Sequence, residues 1–96
     1  MTLAELYEII CDRRDHPIPG SYTASLFQQG ELEMAKKVGE EAVEIVLAAA
    51  AQGDRRLVEE VADLAYHVLV LLAARGIHPE QVLNELERRH RPPAHE

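Results

Sequence analysis

The sequence predicts an all-α protein, a compact antiparallel bundle of about four to five helices. Three observations lead there. Apolar residues recur at helical spacing along most of the chain, glycines and prolines punctuate it at short intervals, and no segment alternates polar and apolar residues as a strand would. The short connections favour antiparallel neighbours.

Thr2 is placed to cap a first helix running to about Arg14, with Leu3, Leu6, Tyr7 and Ile10 on one face. The segment Asp15-His16-Pro17-Ile18-Pro19-Gly20 stops it, because two prolines and a glycine do not continue a helix. Ser21 or Thr23 then opens a short helical segment through Leu26 and Phe27, closed by Gly30. A long helix is expected from Glu31 to about Gln52, ending at Gly53. Asp54 is expected to cap the next, which runs to Arg75 and closes at Gly76. Pro79 suits a first helical position and starts a last helix through about Arg89. Residues 1–91 are read as one domain and 92–96 as a flexible tail.

The helix after Asp54 carries Leu57, Val58, Val61, Ala62, Leu64, Ala65 and the run Val68 to Leu72 around most of its circumference. That distribution predicts a central helix, buried in a core or in an oligomer interface.

The 96 residues are 47% apolar and 28% charged, the balance of a globular protein. A net charge of −7 argues against a nucleic-acid polymer as partner, since such binding needs a basic face. It leaves a nucleotide substrate open, because carboxylates can hold a metal that meets the phosphates. The single cysteine, Cys11, excludes an intramolecular disulfide and is read as a small buried hydrophobe. No charged, apolar leader opens the chain, and the longest apolar run, Val68–Ala74, is too short for a bilayer. No membrane association and a cytoplasmic location are expected.

Glu60, Asp63 and His67 stand at i, i+3 and i+7 on that apolar helix and form one polar stripe, which Arg56 extends. Glu41 and Glu44 repeat the i, i+3 spacing on the preceding helix, with Lys37 four residues before Glu41 and Glu40 rotated away. An isolated acid pair at this spacing is most often a solvated face. Two such pairs on consecutive antiparallel helices bring four carboxylates together, an arrangement that is costly without cations. Oxygen-only donors suit Mg²⁺ or Mn²⁺.

The pattern Glu41-x-x-Glu44, fifteen intervening residues, then Glu60-x-x-Asp63 resembles the ExxE…ExxD motif of the all-α, MazG-like nucleotide pyrophosphohydrolases. Within that superfamily, three segments are similar to the phosphoribosyl-ATP pyrophosphohydrolase branch: Ser21 to Leu26, Lys36 to Glu44 and Asp63 to Leu72. The resemblance covers Leu3 to about Arg89 with the motifs in family order, and none of the four acid positions departs from it.

The resemblance implies hydrolysis of 1-(5-phosphoribosyl)-ATP to 1-(5-phosphoribosyl)-AMP and pyrophosphate in histidine biosynthesis, by a Mg²⁺-dependent homodimer. It implies Glu41, Glu44, Glu60 and Asp63 as metal ligands, with Glu41 or Glu44 orienting or deprotonating the water. Lys37 is the first candidate for holding phosphate, followed by Lys36 and by Arg13 and Arg14. Ser21, Tyr22 and Thr23 are candidates for phosphate or ribose, though Ser21 reads equally well as a helix cap. His67 is assigned a supporting or structural role rather than ligation, and Glu40 a salt bridge or an outer position around the metal. Two rivals predict different behaviour. A house-cleaning nucleoside triphosphate hydrolase would keep the acids and change the substrate. A non-catalytic helical dimerisation module would pair the acids with Lys36, Lys37, Arg55 and Arg56.

Overall fold

The computed structural model describes residues 1–90, so the tail assigned to 92–96 lies outside the described residues. Five helices follow in order: α1 (Leu3–Asp15), α2 (Tyr22–Gln29), α3 (Glu31–Ala51), α4 (Asp54–Ala74) and α5 (Pro79–His90). No strand occurs among the described residues. The all-α expectation and every expected breaker are borne out.

Local chemistry explains most of the boundaries. Thr2 and Glu5 form a reciprocal capping box at the start of α1, each side chain bonding the other's backbone N–H. Ser21 caps α2, its hydroxyl accepting from the Ala24 N–H at 3.2 Å. Gly30, at φ +100°, both ends α2 and starts α3 with no residue between them, a conformation other residues rarely adopt. One boundary differs from expectation: Gly53, at φ +86°, is the N-cap of α4, and Asp54 is its first helical residue. The acid still favours that end electrostatically, but it makes no side-chain cap bond.

Helices α3 and α4 form an antiparallel hairpin with the most extensive interface in the molecule, and α1 and α2 pack on one half of it. The core lies there: Tyr7 and Ile10 from α1, Leu26 from α2, Met34 from α3, and Leu69, Val70 and Ala73 from α4. Cys11 packs against this cluster, partly buried, as a small hydrophobe would. Arg14 ties α1 to the end of α4 by donating at 2.6 Å to the Ala73 carbonyl, which also accepts from the Gly76 N–H at 3.1 Å.

Helix α4 is central, as expected, but only part of its apolar circumference is covered within the protomer. Val58 and Val61 are exposed, and α5 buries no residue at all. Between α4, α5 and the start of α1 runs an apolar groove of about 520 Å³, lined by Leu3, Val61, Leu64, Val68, Leu83 and Leu86 among others. None of the described helices is long and apolar enough to cross a membrane.

Candidate active site

Glu41 projects from the middle of α3, and Glu60 and Asp63 from the facing part of α4. One carboxylate oxygen from each lies within 4.8 Å of the others. Helical period put Glu60 and Asp63 on one face, and the antiparallel hairpin brings Glu41 to meet them. Glu44, one turn beyond Glu41 and half-buried, does not join this group of three.

The three acids sit in unequal environments. Glu60 is buried at 5% exposure, and Arg56 donates to its Oε1 at 2.5 Å. Arg56 also bonds Glu59 at 2.9 Å. Asp63 is exposed, and its carboxylate makes no hydrogen bond or ion pair among the described residues. Burial, then the nearby Asp63 carboxylate and a hydrogen bond with Glu60, push the Glu41 carboxyl above its ordinary range, while His67 pulls the other way. Of the three acids only Glu60 is paired with a cation, Arg56, among the described residues, and burial together with the surplus negative charge raises the proton affinity of Glu41. Hard oxygen donors with uncompensated charge fit a dication such as Mg²⁺ or Mn²⁺; no His or Cys joins the group to suit zinc.

The remaining candidates divide. Lys37 pairs with Glu40 at 3.6 Å, one turn before Glu41 on the same helix, and Lys36 pairs with Glu33 at 3.6 Å. Glu40 is thus held in a salt bridge. Arg14 is not brought to the acids: Asp15 and the Ala73 carbonyl occupy its guanidinium, and Ala73 lies about 15 Å of helix beyond Asp63. Arg13 pairs with Asp12 at 2.9 Å.

Of the candidates for phosphate or ribose, Ser21 takes the helix-cap role that was its equal reading, and the hydroxyls of Tyr22 and Thr23 are used internally. Ser21 caps α2, the Tyr22 hydroxyl meets His67 Nε2 at 3.1 Å, and the Thr23 hydroxyl bonds that of Tyr66. His67 Nδ1 lies 2.8 Å from the backbone carbonyl of Asp63, and since a carbonyl only accepts, this nitrogen carries a proton and donates it, leaving Nε2 to meet the Tyr22 hydroxyl. The ring therefore bonds the backbone of an acid-bearing turn, not its carboxylate. The sequence reading missed Tyr66 as the partner of Thr23. The two are 43 residues apart, and no local periodicity reports such a pairing. The Arg56–Glu60 bond was legible as i, i+4 spacing.

An all-α bundle with a cation-ready acidic centre between two antiparallel helices is the class that fold and site define. A family model described as phosphoribosyl-ATP pyrophosphohydrolase matches residues 3–90. A phosphoribosyl-ATP pyrophosphatase of Pelotomaculum thermopropionicum is 55% identical over 91% of this chain and 89% of that protein. Proteins of the same name from Saccharolobus solfataricus and Sulfurisphaera tokodaii are 51% and 48% identical, over 88% and 91% of this chain and 90% and 93% of theirs. The chain belongs to the phosphoribosyl-ATP pyrophosphohydrolase family.

Proposed function

We propose that this chain adds water across the α–β phosphoanhydride of 1-(5-phosphoribosyl)-ATP, releasing pyrophosphate and 1-(5-phosphoribosyl)-AMP, an early step of histidine biosynthesis. Family membership over residues 3–90 supports the substrate, and the meeting of Glu41, Glu60 and Asp63 carries the chemistry. These three would hold a divalent cation, Mg²⁺ with Mn²⁺ as a substitute, which supplies Lewis acidity and screens the charge of the polyphosphate. Arg56 fixes Glu60 in place. Glu44, outside the three-acid group, is the carboxylate left to orient the attacking water and take its proton. Lys37, one turn from Glu41 and held only by the exposed Glu40, is the cation nearest in sequence for a phosphate oxygen.

Of the four acids, only Glu60 has a basic partner among the described residues, which speaks against a module whose acids exist to make salt bridges. The uncovered apolar surfaces of α3, α4 and α5 support a homodimer, in which a second copy covers them. A biosynthetic role on a small anionic nucleotide, with net charge −7, accords with a cytoplasmic enzyme that binds neither a nucleic-acid polymer nor a membrane.

The test is pyrophosphate release from phosphoribosyl-ATP with Mg²⁺, beside Glu41→Gln, Glu44→Gln and a panel of ordinary nucleoside triphosphates. Metal-dependent release that both variants abolish, with the panel untouched, is expected. Hydrolysis of a panel nucleotide in place of phosphoribosyl-ATP overturns the substrate. Release that is indifferent to chelator overturns the cation site.

A further inference from the structure

Asp63 is the least supported of the three clustered acids. Arg56 holds the carboxylate of Glu60, whereas that of Asp63 is exposed and makes no hydrogen bond or ion pair among the described residues. Its direction is set by the backbone turn it stands on. That turn is tied to α2 through His67, one turn further along α4: His67 Nδ1–H donates to the Asp63 carbonyl at 2.8 Å, and His67 Nε2 and the Tyr22 hydroxyl of α2 bond each other at 3.1 Å.

The grip is doubled at the adjacent position. Thr23 follows Tyr22 on α2, Tyr66 precedes His67 on α4, and the two hydroxyls bond each other. Consecutive residues of α2 thus pair with consecutive residues of α4 in antiparallel order. The rings of Tyr22 and Tyr66 stack at 6.3 Å, and both meet the His67 ring edge-on, at 6.1 and 5.1 Å. A hydrogen bond alone fixes a distance; two adjacent ones with interlocked rings also fix rotation about the helix axis. That rotation sets where Asp63 points relative to Glu41.

We infer that Tyr22, Thr23, Tyr66 and His67 form a clamp whose role is to position Asp63 opposite Glu41, so that Tyr22 and Thr23 act on the reaction through the acid cluster and not by touching substrate. The inference rests on the proposed reading of the three acids as a cation site. Sites of this kind need their ligands held to within about 0.5 Å by a locked supporting layer, and loosening one costs affinity. Losing a single hydroxyl from the clamp should weaken cation binding by about three- to tenfold, the range of one net hydrogen bond.

The experiment titrates Mn²⁺ into the full chain without substrate, following free Mn²⁺ by its electron paramagnetic resonance signal, for wild type, Tyr22→Phe and Thr23→Val. Kinetics on phosphoribosyl-ATP follow at saturating metal. Weaker Mn²⁺ binding in both variants, with kcat lowered and KM for substrate unchanged, is expected. Unchanged Mn²⁺ affinity overturns the clamp whatever happens to melting, because a contact that serves only folding would not move it. A raised KM with kcat intact also overturns it, by assigning the hydroxyl to substrate. Should Tyr22→Phe fail to fold, Thr23→Val carries the same comparison. Wild-type protein that takes up no stoichiometric Mn²⁺ would instead sink the cation-site reading, an outcome distinct from the variants' behaviour.

Discussion

The two halves of the α3–α4 hairpin have similar apolar content and opposite fates. Where α1 and α2 lie against it, Met34, His67, Leu69, Val70 and Ala73 are buried. Toward the Gly53 turn the described helices cover little of it, and Val43, Val46, Leu47, Val58 and Val61 are exposed, with Ala48 and Glu60 the buried residues there. The acid cluster sits where one half gives way to the other. Burial is thus a property of what packs on a helix, not of the helix itself. The proposed cation centre at this boundary has a packed side toward α2 and an exposed side, where Asp63 lies.

Five outcomes test this contrast. The largest belongs to the packed half: Leu26→Ala, at a fully buried position, should cost about 2–5 kcal/mol of unfolding free energy by denaturant titration. A cost near that of a surface change would mean the core is misplaced. Next comes cation binding. At a free Mg²⁺ concentration about 100-fold above its dissociation constant, melting should reflect about 2.7 kcal/mol of added stability, removed by chelator.

That gain should depend on pH with a definite sign. The folded-state pKa of Glu41 is raised by burial and by Asp63, so the metal-free fold binds the proton more tightly than the unfolded chain. Metal-free stability from this group is therefore greatest below its unfolded value, falls as pH rises through the raised folded value, and is level beyond it. The difference in melting temperature between Mg²⁺ and chelator should grow as pH rises through the raised Glu41 value. A difference that shrinks as pH rises would exclude Glu41 from the cation site.

On the open half, Val46→Asp should shift sedimentation equilibrium from dimer to monomer, since Val46 is 65% exposed in the protomer and a second copy is proposed to cover that face. Unchanged mass and melting would make the outer half a true solvent face. The smallest effect expected is that of Arg14→Met, which removes the bond to the Ala73 carbonyl and should lower stability by about 1 kcal/mol while leaving turnover alone. A marked rise in KM would return Arg14 to the substrate.

The sequence by itself determined the helices, their breakers and the acids that share a face, because helical period, caps and glycines act over three or four residues. Glu60 and Asp63 had to share a stripe, and the run from Ser21 to Leu72 sufficed for the family. Which partners those residues take depends on how the helices pack. That packing left Glu44 outside the group of three acids, carried Arg14 to the far end of α4, and engaged the hydroxyls of Tyr22 and Thr23 on residues 45 and 43 positions away. Such pairings depend on the rotation and spacing of whole helices about one another. Those are fixed by the packing of α1 and α2 on half of a hairpin, a long-range arrangement that no local periodicity encodes.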